Sequence, residues 1–435
     1  MNRQILRIAV PSIVSNIVVP LLGLMDLTIA GHIGETAFIG AVSVGATMFN
    51  LTYWNFGFLR MGTSGITAQA FGRNDKDDIL LTLSRSIFLA VAIGVAIIAF
   101  QYPLSRLLLL AISPSPEVKM LVVDYFGICV CGAPAILATM SISGWFVGMQ
   151  NSVYPMVVAI VVNVVNIVVS LLCVFTFDMG FIGIAVGTLA AQWAGCVLSL
   201  VMARKMLSRH AIAAVIELRK VISHLGGFFK VNGDIFFRSL CMMSVVLFFT
   251  SAGARSGDTI LAVNALIMQL FIIYSYFMDG FAYAGEALVG RYYGERNYAD
   301  LDRCVKRLFL WGAIVMSMFS IAYTVSGSGI MRLLTDDLDV VSCAAEYRFW
   351  AALVPVAGMA AFIWDGVFVG LTATRQMLLT LFLSTIFFFV VYFFCVNFTA
   401  SKPNDILWLS FLSYLAARGI TQTVIYAKTL KKLFV

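Results

Sequence analysis

Runs of apolar residues long enough to cross a lipid bilayer recur about every 36 residues along this chain. Such runs leave few folds open, because a backbone in hydrocarbon must satisfy its own hydrogen bonds, as a helix or a closed barrel does. The runs are continuous rather than alternating, which excludes the barrel. Twelve spans are read, at about 5–30, 37–60, 80–101, 120–147, 154–177, 182–206, 229–253, 259–290, 305–326, 345–371, 377–398 and 405–428. Most exceed the roughly 20 residues a helix needs to cross. Only 12% of residues are charged, against about 25% in soluble domains. The expected fold class is an all-α integral membrane protein of twelve transmembrane helices. The opening MNRQILRIAV has the basic start of a signal peptide, but no small-x-small cleavage site follows, and it is read as part of helix one.

Charge orients the spans. With the N-terminus inside, 20 of the 29 lysines and arginines fall on the inner side, 6 outside and 3 within spans (Arg60, Arg238, Arg418). The positive-inside rule then places both termini in the cytoplasm, and the expected location is the inner membrane, crossed many times. A basic balance of this origin orients helices and gives no argument for nucleic acid. The cysteines lie mostly inside spans and read as small apolar residues. Cys129-x-Cys131 has no second pair or neighbouring histidine, and His32, His210 and His224 are scattered, so no metal site and no cofactor are expected.

One offset, 222 residues, relates the two halves at three landmarks. Ala30-Gly31 matches Ala252-Gly253, Phe71-Gly72 matches Tyr293-Gly294, and Gly144-Trp-Phe-Val-Gly148 matches Gly366-Val-Phe-Val-Gly370. Three matches in register point to duplication. Six spans per half is an even number, which predicts two parallel six-helix lobes with substrate in the cleft between them. The lobes are placed at 1–205 and 229–435, joined by a cytoplasmic linker, 206–228, with the apolar spacing of an interfacial helix. Residues 103–119 read as an outer loop with a short interfacial turn.

Few polar residues interrupt the spans. Asp26 stands in the first apolar run, where a carboxylate costs roughly 2.5–3.5 kcal/mol on insertion scales. That makes it a candidate ion or proton site, unless it reaches the interface near Gly31. Asn163, Asn166 and Ser170 share one face of span five; they suit either cation ligation or helix–helix hydrogen bonding. Tyr276, Asp279, Tyr283 and Glu286 form a stripe along span eight that suits a cationic aromatic substrate or a proton relay, although Glu286 is close enough to the basic cluster to be an interfacial anchor. Asp365 is isolated in span ten. Asp234 and Arg238, four apart, read as a local ion pair. Under the offset Asp26 aligns with Phe248, Asp279 with Gly57 and Asp365 with Ser143, so the fold repeats while the acids do not. No nucleophile elbow, Walker A sequence or HExxH motif occurs, so no enzyme and no catalytic residue is expected.

The stretches IAVPSIVSNIVVPLLGLMDLTIAGHIG, FNLTYWNFGFLRMGTSGITAQAFGRND, SAGARSGDTILAVNALIMQLFIIYSYFMDGFAYAGEALVGRYYG and WDGVFVGLTATR resemble the multidrug and toxic compound extrusion family, in its DinF-like branch. The resemblance runs essentially end to end. It implies efflux of cationic or amphipathic small organic compounds coupled to inward H⁺ or Na⁺. Carried over by position, the N-lobe cation site would comprise Asp26, Asn166 and Thr188. Where many members continue with a second acid in span five, this chain has Ser170, which puts a family-type Na⁺ site in doubt and favours H⁺. Asp279 and Asp365 match the DinF-like pattern of the C-lobe. The expected partners are a small-molecule substrate, the coupling ion and the bilayer, with the protein acting as a monomer. The alternative, a flippase for lipid-linked precursors, would call for aligned cationic residues, of which the spans offer Arg60, Arg238 and Arg418.

Overall fold

The computed structural model describes all residues except 34–35, 113, 213–219, 222–224, 326, 336, 399–401 and 431–435. Among the described residues every regular element is helical. In chain order they are α1 (Asn2–His32), α2 (Thr36–Tyr53), α3 (Phe58–Gly72), α4 (Lys76–Ala99), α5 (Gln101–Ile112), α6 (Pro116–Cys129), α7 (Ala133–Gly148), α8 (Val153–Leu171) and α9 (Phe181–Arg209). There follow α10 (Leu225–Ala254), α11 (Asp258–Gly294), α12 (Tyr298–Val325), α13 (Gly327–Leu334), α14 (Leu338–Glu346), α15 (Arg348–Gly370), α16 (Thr374–Phe398) and α17 (Pro403–Ile425).

Among the described residues ten helical stretches are long and apolar enough to cross a bilayer by themselves. The remaining two of the twelve spans have evident reasons to fall short. The second is broken by a 3₁₀ turn at Trp54–Gly57 and runs on to Gly72, beyond the expected end at 60. The last, α17, carries Asn404, Asp405, Arg418 and Gln422, all spent on contacts inside the protein rather than on lipid. Residues 103–112 of the expected 103–119 loop lie in α5, where Arg106 stacks over the Tyr102 ring at 4.3 Å. The expected interfacial helix of the linker falls largely on 213–219 and 222–224, outside the described residues.

The chain forms two compact units, Val10–Asn232 and Met1–Ala9 with Gly233–Val435. The 222-residue repeat is present in their packing. In the first unit a Cβ on Gly144 would lie 2.1 Å from the Arg60 carbonyl oxygen; in the second, a Cβ on Gly366 would lie 2.2 Å from the Ala282 carbonyl oxygen. Four residues on, Gly148 lies against Ser64 O and Ala68 N, and Gly370 against Glu286 O and Gly290 N. Each of these three pairs of partners is 222 apart. The repeated GxxxG therefore marks one helix–helix crossing built twice, with glycines letting the backbones touch.

Candidate functional site

In the first unit, Asp26 comes from α1, Tyr125 from α6, Asn163, Asn166 and Ser170 from α8, and Thr188 from α9. Asp26 is 2% exposed, so it does not reach the interface as its position near Gly31 allowed. The Thr188 hydroxyl donates to Asp26 Oδ2 at 3.0 Å and accepts from Asn166 Nδ2 at 3.1 Å, so one hydroxyl joins three helices. The Tyr125 hydroxyl points at the same carboxylate oxygen from 3.5 Å. Two glycines make the room. A Cβ on Gly45 would sit 2.6 Å from the Tyr125 ring, and one on Gly187 would sit 2.0 Å from Ser170 Oγ. A π turn, Leu172–Thr176, follows Ser170 at once; such turns often mark functional sites.

The set has more oxygen than its internal hydrogen bonds use. Asp26 Oδ1, Asn163 Oδ1, Asn166 Oδ1 and Ser170 Oγ are buried and accept or donate no hydrogen bond among the described residues. Such atoms are costly in an apolar interior unless something fills the gap. A proton on Asp26 or a small hard cation would do so, and the site offers one formal charge to hold it. The equivalent place in the second unit carries no acid. Phe248 and Phe388, the counterparts of Asp26 and Asn166, pack edge to face at 5.8 Å. The repeat thus supplies the helix crossing twice and this acid once.

In the second unit Asp365 is 6% exposed and heavily engaged. Arg238 of α10 and Arg418 of α17 both donate to its Oδ2, and Gln422 Nε2 donates to Oδ1 at 2.9 Å. The expected local pair of Asp234 with Arg238 does not form. Asp234 instead accepts from the Thr374 hydroxyl at 2.8 Å, while Arg238 reaches an acid 127 positions away. A buried carboxylate has the stronger need of a guanidinium, because its charge has no water to solvate it. Along α11, Tyr276, Asp279 and Tyr283 are half-buried, with Asp279 in electrostatic reach of Tyr276 and Arg418. Glu286 is 1% exposed, which rules out the interfacial anchor.

Among the described residues no group of three His, Cys, Asp or Glu side chains is placed to hold a metal ion. Cys129 and Cys131 point apart, toward the carbonyls of Ala185 and Gly127. Tyr125 is the site neighbour that sequence reasoning missed; an aromatic in an apolar run carries no signal of its partner.

The MatE family model matches residues 11–172 and 235–394. The DNA damage-inducible protein F of Escherichia coli K12 is 32% identical over 427 residues, covering 98% of this chain and 92% of that protein. The multidrug resistance protein NorM of Photobacterium profundum is 24% identical, covering 88% of this chain and 85% of that protein. Among solved structures, a MATE protein in its straight conformation superposes with a TM-score of 0.86 at 19% identity, covering 99% of this chain and 96% of that one. The bent form of the Vibrio cholerae MATE transporter VcmN gives 0.86 at 17%, covering 99% and 98%. With both halves matched and a relative aligned almost end to end, the chain belongs to the MatE family, in its DinF-like branch, as a multi-pass membrane transporter rather than an enzyme.

Proposed function

We propose that this protein is a secondary active exporter of cationic or amphipathic small organic compounds, driven by protons that load at Asp26. The observation that carries this reading is a deeply buried carboxylate with no cationic partner among the described residues, fixed by Thr188 and Asn166 at the meeting of three helices. The names of relatives such as NorM support the export of drugs. Na⁺ is the lesser candidate: Asn166, Ser170 and Thr188 offer oxygens, but a single formal charge gains little over simple protonation, which removes the buried charge with no coordination shell to build.

Asp365 fits coupling less well, since two guanidiniums already claim it. We assign it to holding α10, α15 and α17 together, and Tyr276, Asp279 and Tyr283 to contact with substrate, with Glu286 supporting them from the buried end of the stripe. The same pairing weakens the flippase alternative, because Arg238 and Arg418 are committed to Asp365. The proposal extends to a monomer in the inner membrane, with lobes 1–205 and 229–435, linker 206–228 and both termini cytoplasmic. A panel of cationic, neutral and anionic dyes in everted vesicles tests it. Gradient-driven uptake of cationic dyes is expected, and uptake of none of them would overturn the reading.

A further inference from the structure

In the second unit, α15 and α17 leave a groove of about 720 Å³ along their outer face. Its floor is made of small residues, Ala357 and Ala360 against Ala416 and Gly419, and these bring the helices together; a Cβ on Gly419 would meet that of Ala360 at 2.9 Å. Its walls are large and apolar. Phe349 and Val356 on one side, and Leu409, Ile420 and Val424 on the other, are each more than two-fifths exposed. Positions 349, 353, 356 and 360, and 409, 413, 416, 420 and 424, follow the three-four rhythm of a single helix face.

In a membrane-spanning helix pair such a face meets hydrocarbon, not water. From Leu409 to Val424 the groove runs about 22 Å at 1.5 Å per residue, well over half of a hydrocarbon core of about 30 Å. The end where both helices begin is polar and bears both signs of charge. Trp350 Nε1 donates to Asp405 there at 2.8 Å, Lys402 pairs with Glu346 at 3.0 Å, and Arg348 is exposed. Tryptophan with flanking charges is the usual composition at the level of lipid head groups. The other end is lined by the apolar Ile420 and Val424.

We propose that this groove is a binding site for one phospholipid acyl chain, with the head group at the Trp350 end, where Arg348 and Lys402 suit its phosphate and Glu346 and Asp405 an amine. A chain gains nothing by exchanging hydrocarbon for hydrocarbon, so retention comes from packing on three sides and from the head group. The opposite faces of α15 and α17 carry Asp365, Arg418 and Gln422, so a seated chain braces the helices that hold that network.

The test uses purified full-length protein reconstituted with phosphatidylethanolamine bearing a photoactivatable diazirine in its acyl chain, followed by peptide mapping. Adducts are expected on 349–360 and 409–424, several-fold above the exposed Phe382, Phe387 and Phe394 of α16. Filling the groove with Ala357→Trp, or with Ala416→Phe should the first fail to fold, should remove the groove adducts several-fold and leave those on α16. Equal labelling of α16, or labelling indifferent to both substitutions, would leave only ordinary surrounding lipid and overturn the site. Loss of adducts to a cationic dye but not to unlabelled lipid would give the groove to cargo. Cross-linked dimers through 349–360 would give it to a second copy.

Discussion

Substituting Asp365→Asn should unfold this protein more readily than any other conservative neutralisation in its spans. The carboxylate is buried, as are Arg238 at 6% exposure and Arg418 at 2%. Deleting one partner of a buried ion pair costs about 3–5 kcal/mol, chiefly because a charge is left without compensation. Here one carboxylate serves two guanidiniums and a glutamine amide, so the upper end of that range applies. The control is the triple substitution Arg238→Met, Asp365→Leu, Arg418→Met. It leaves no member of the triad charged, and replacing a whole buried triad by well-packed apolar residues of similar volume is often close to neutral in stability. Thermal unfolding of the purified protein in detergent reads the difference. The single variant should melt well below the wild type, and the triple should recover most of the loss. A single variant that melts like the wild type, or a triple variant that melts as low as the single, would refute the reasoning.

Four further outcomes follow from the same geometry. Thr188→Val removes the hydroxyl that joins Asp26 to Asn166 and strands both, at about 1–3 kcal/mol; efflux should fall while the protein still reaches the membrane, and efflux at wild-type rate would count against the bridge. Gly144→Ala and Gly366→Ala each drive a methyl into a backbone carbonyl at 2.1 and 2.2 Å; overpacking of this kind costs about 1–3 kcal/mol or more, and both should lower the yield of folded protein alike if the crossing is truly repeated. Ser170→Asp adds a second acid beside Asp26 and should raise Na⁺ sensitivity or shift the pH dependence of transport. Reporter fusions after Val435 and within 209–224 should both report cytoplasm, and an outer signal from either would remove the proposed topology.

The helices and their duplication were legible in the amino-acid sequence because both are written locally. Apolar length sets a span, and a glycine that must touch a backbone carbonyl can be little else, which is why Gly144 and Gly366 survive as landmarks. Asp26 was legible for a related reason, since an acid in an apolar run is expensive wherever its partners are. The partners were not. Thr188 is 162 positions from Asp26 and entered only through the family resemblance, and Tyr125 did not enter at all. The same limit explains the error at Arg238. Four-residue spacing favoured Asp234, but burial decided for Asp365 across 127 positions. Residues 103–112 read as loop because proline and arginine interrupt them, yet Pro103 falls in the first turn of α5, where proline is tolerated.

The coupling role of Asp26 is tested most directly in everted vesicles that carry either the wild-type protein or Asp26→Asn at matched levels. Uptake of one cationic dye is followed under an imposed ΔpH and, separately, under a Na⁺ gradient at fixed pH. Wild-type uptake should follow ΔpH and vanish in Asp26→Asn, since an amide cannot take up and release the proton. Uptake driven by Na⁺ and indifferent to ΔpH, or uptake by Asp26→Asn at the wild-type rate, would contradict the account and move coupling to the acids of the second unit.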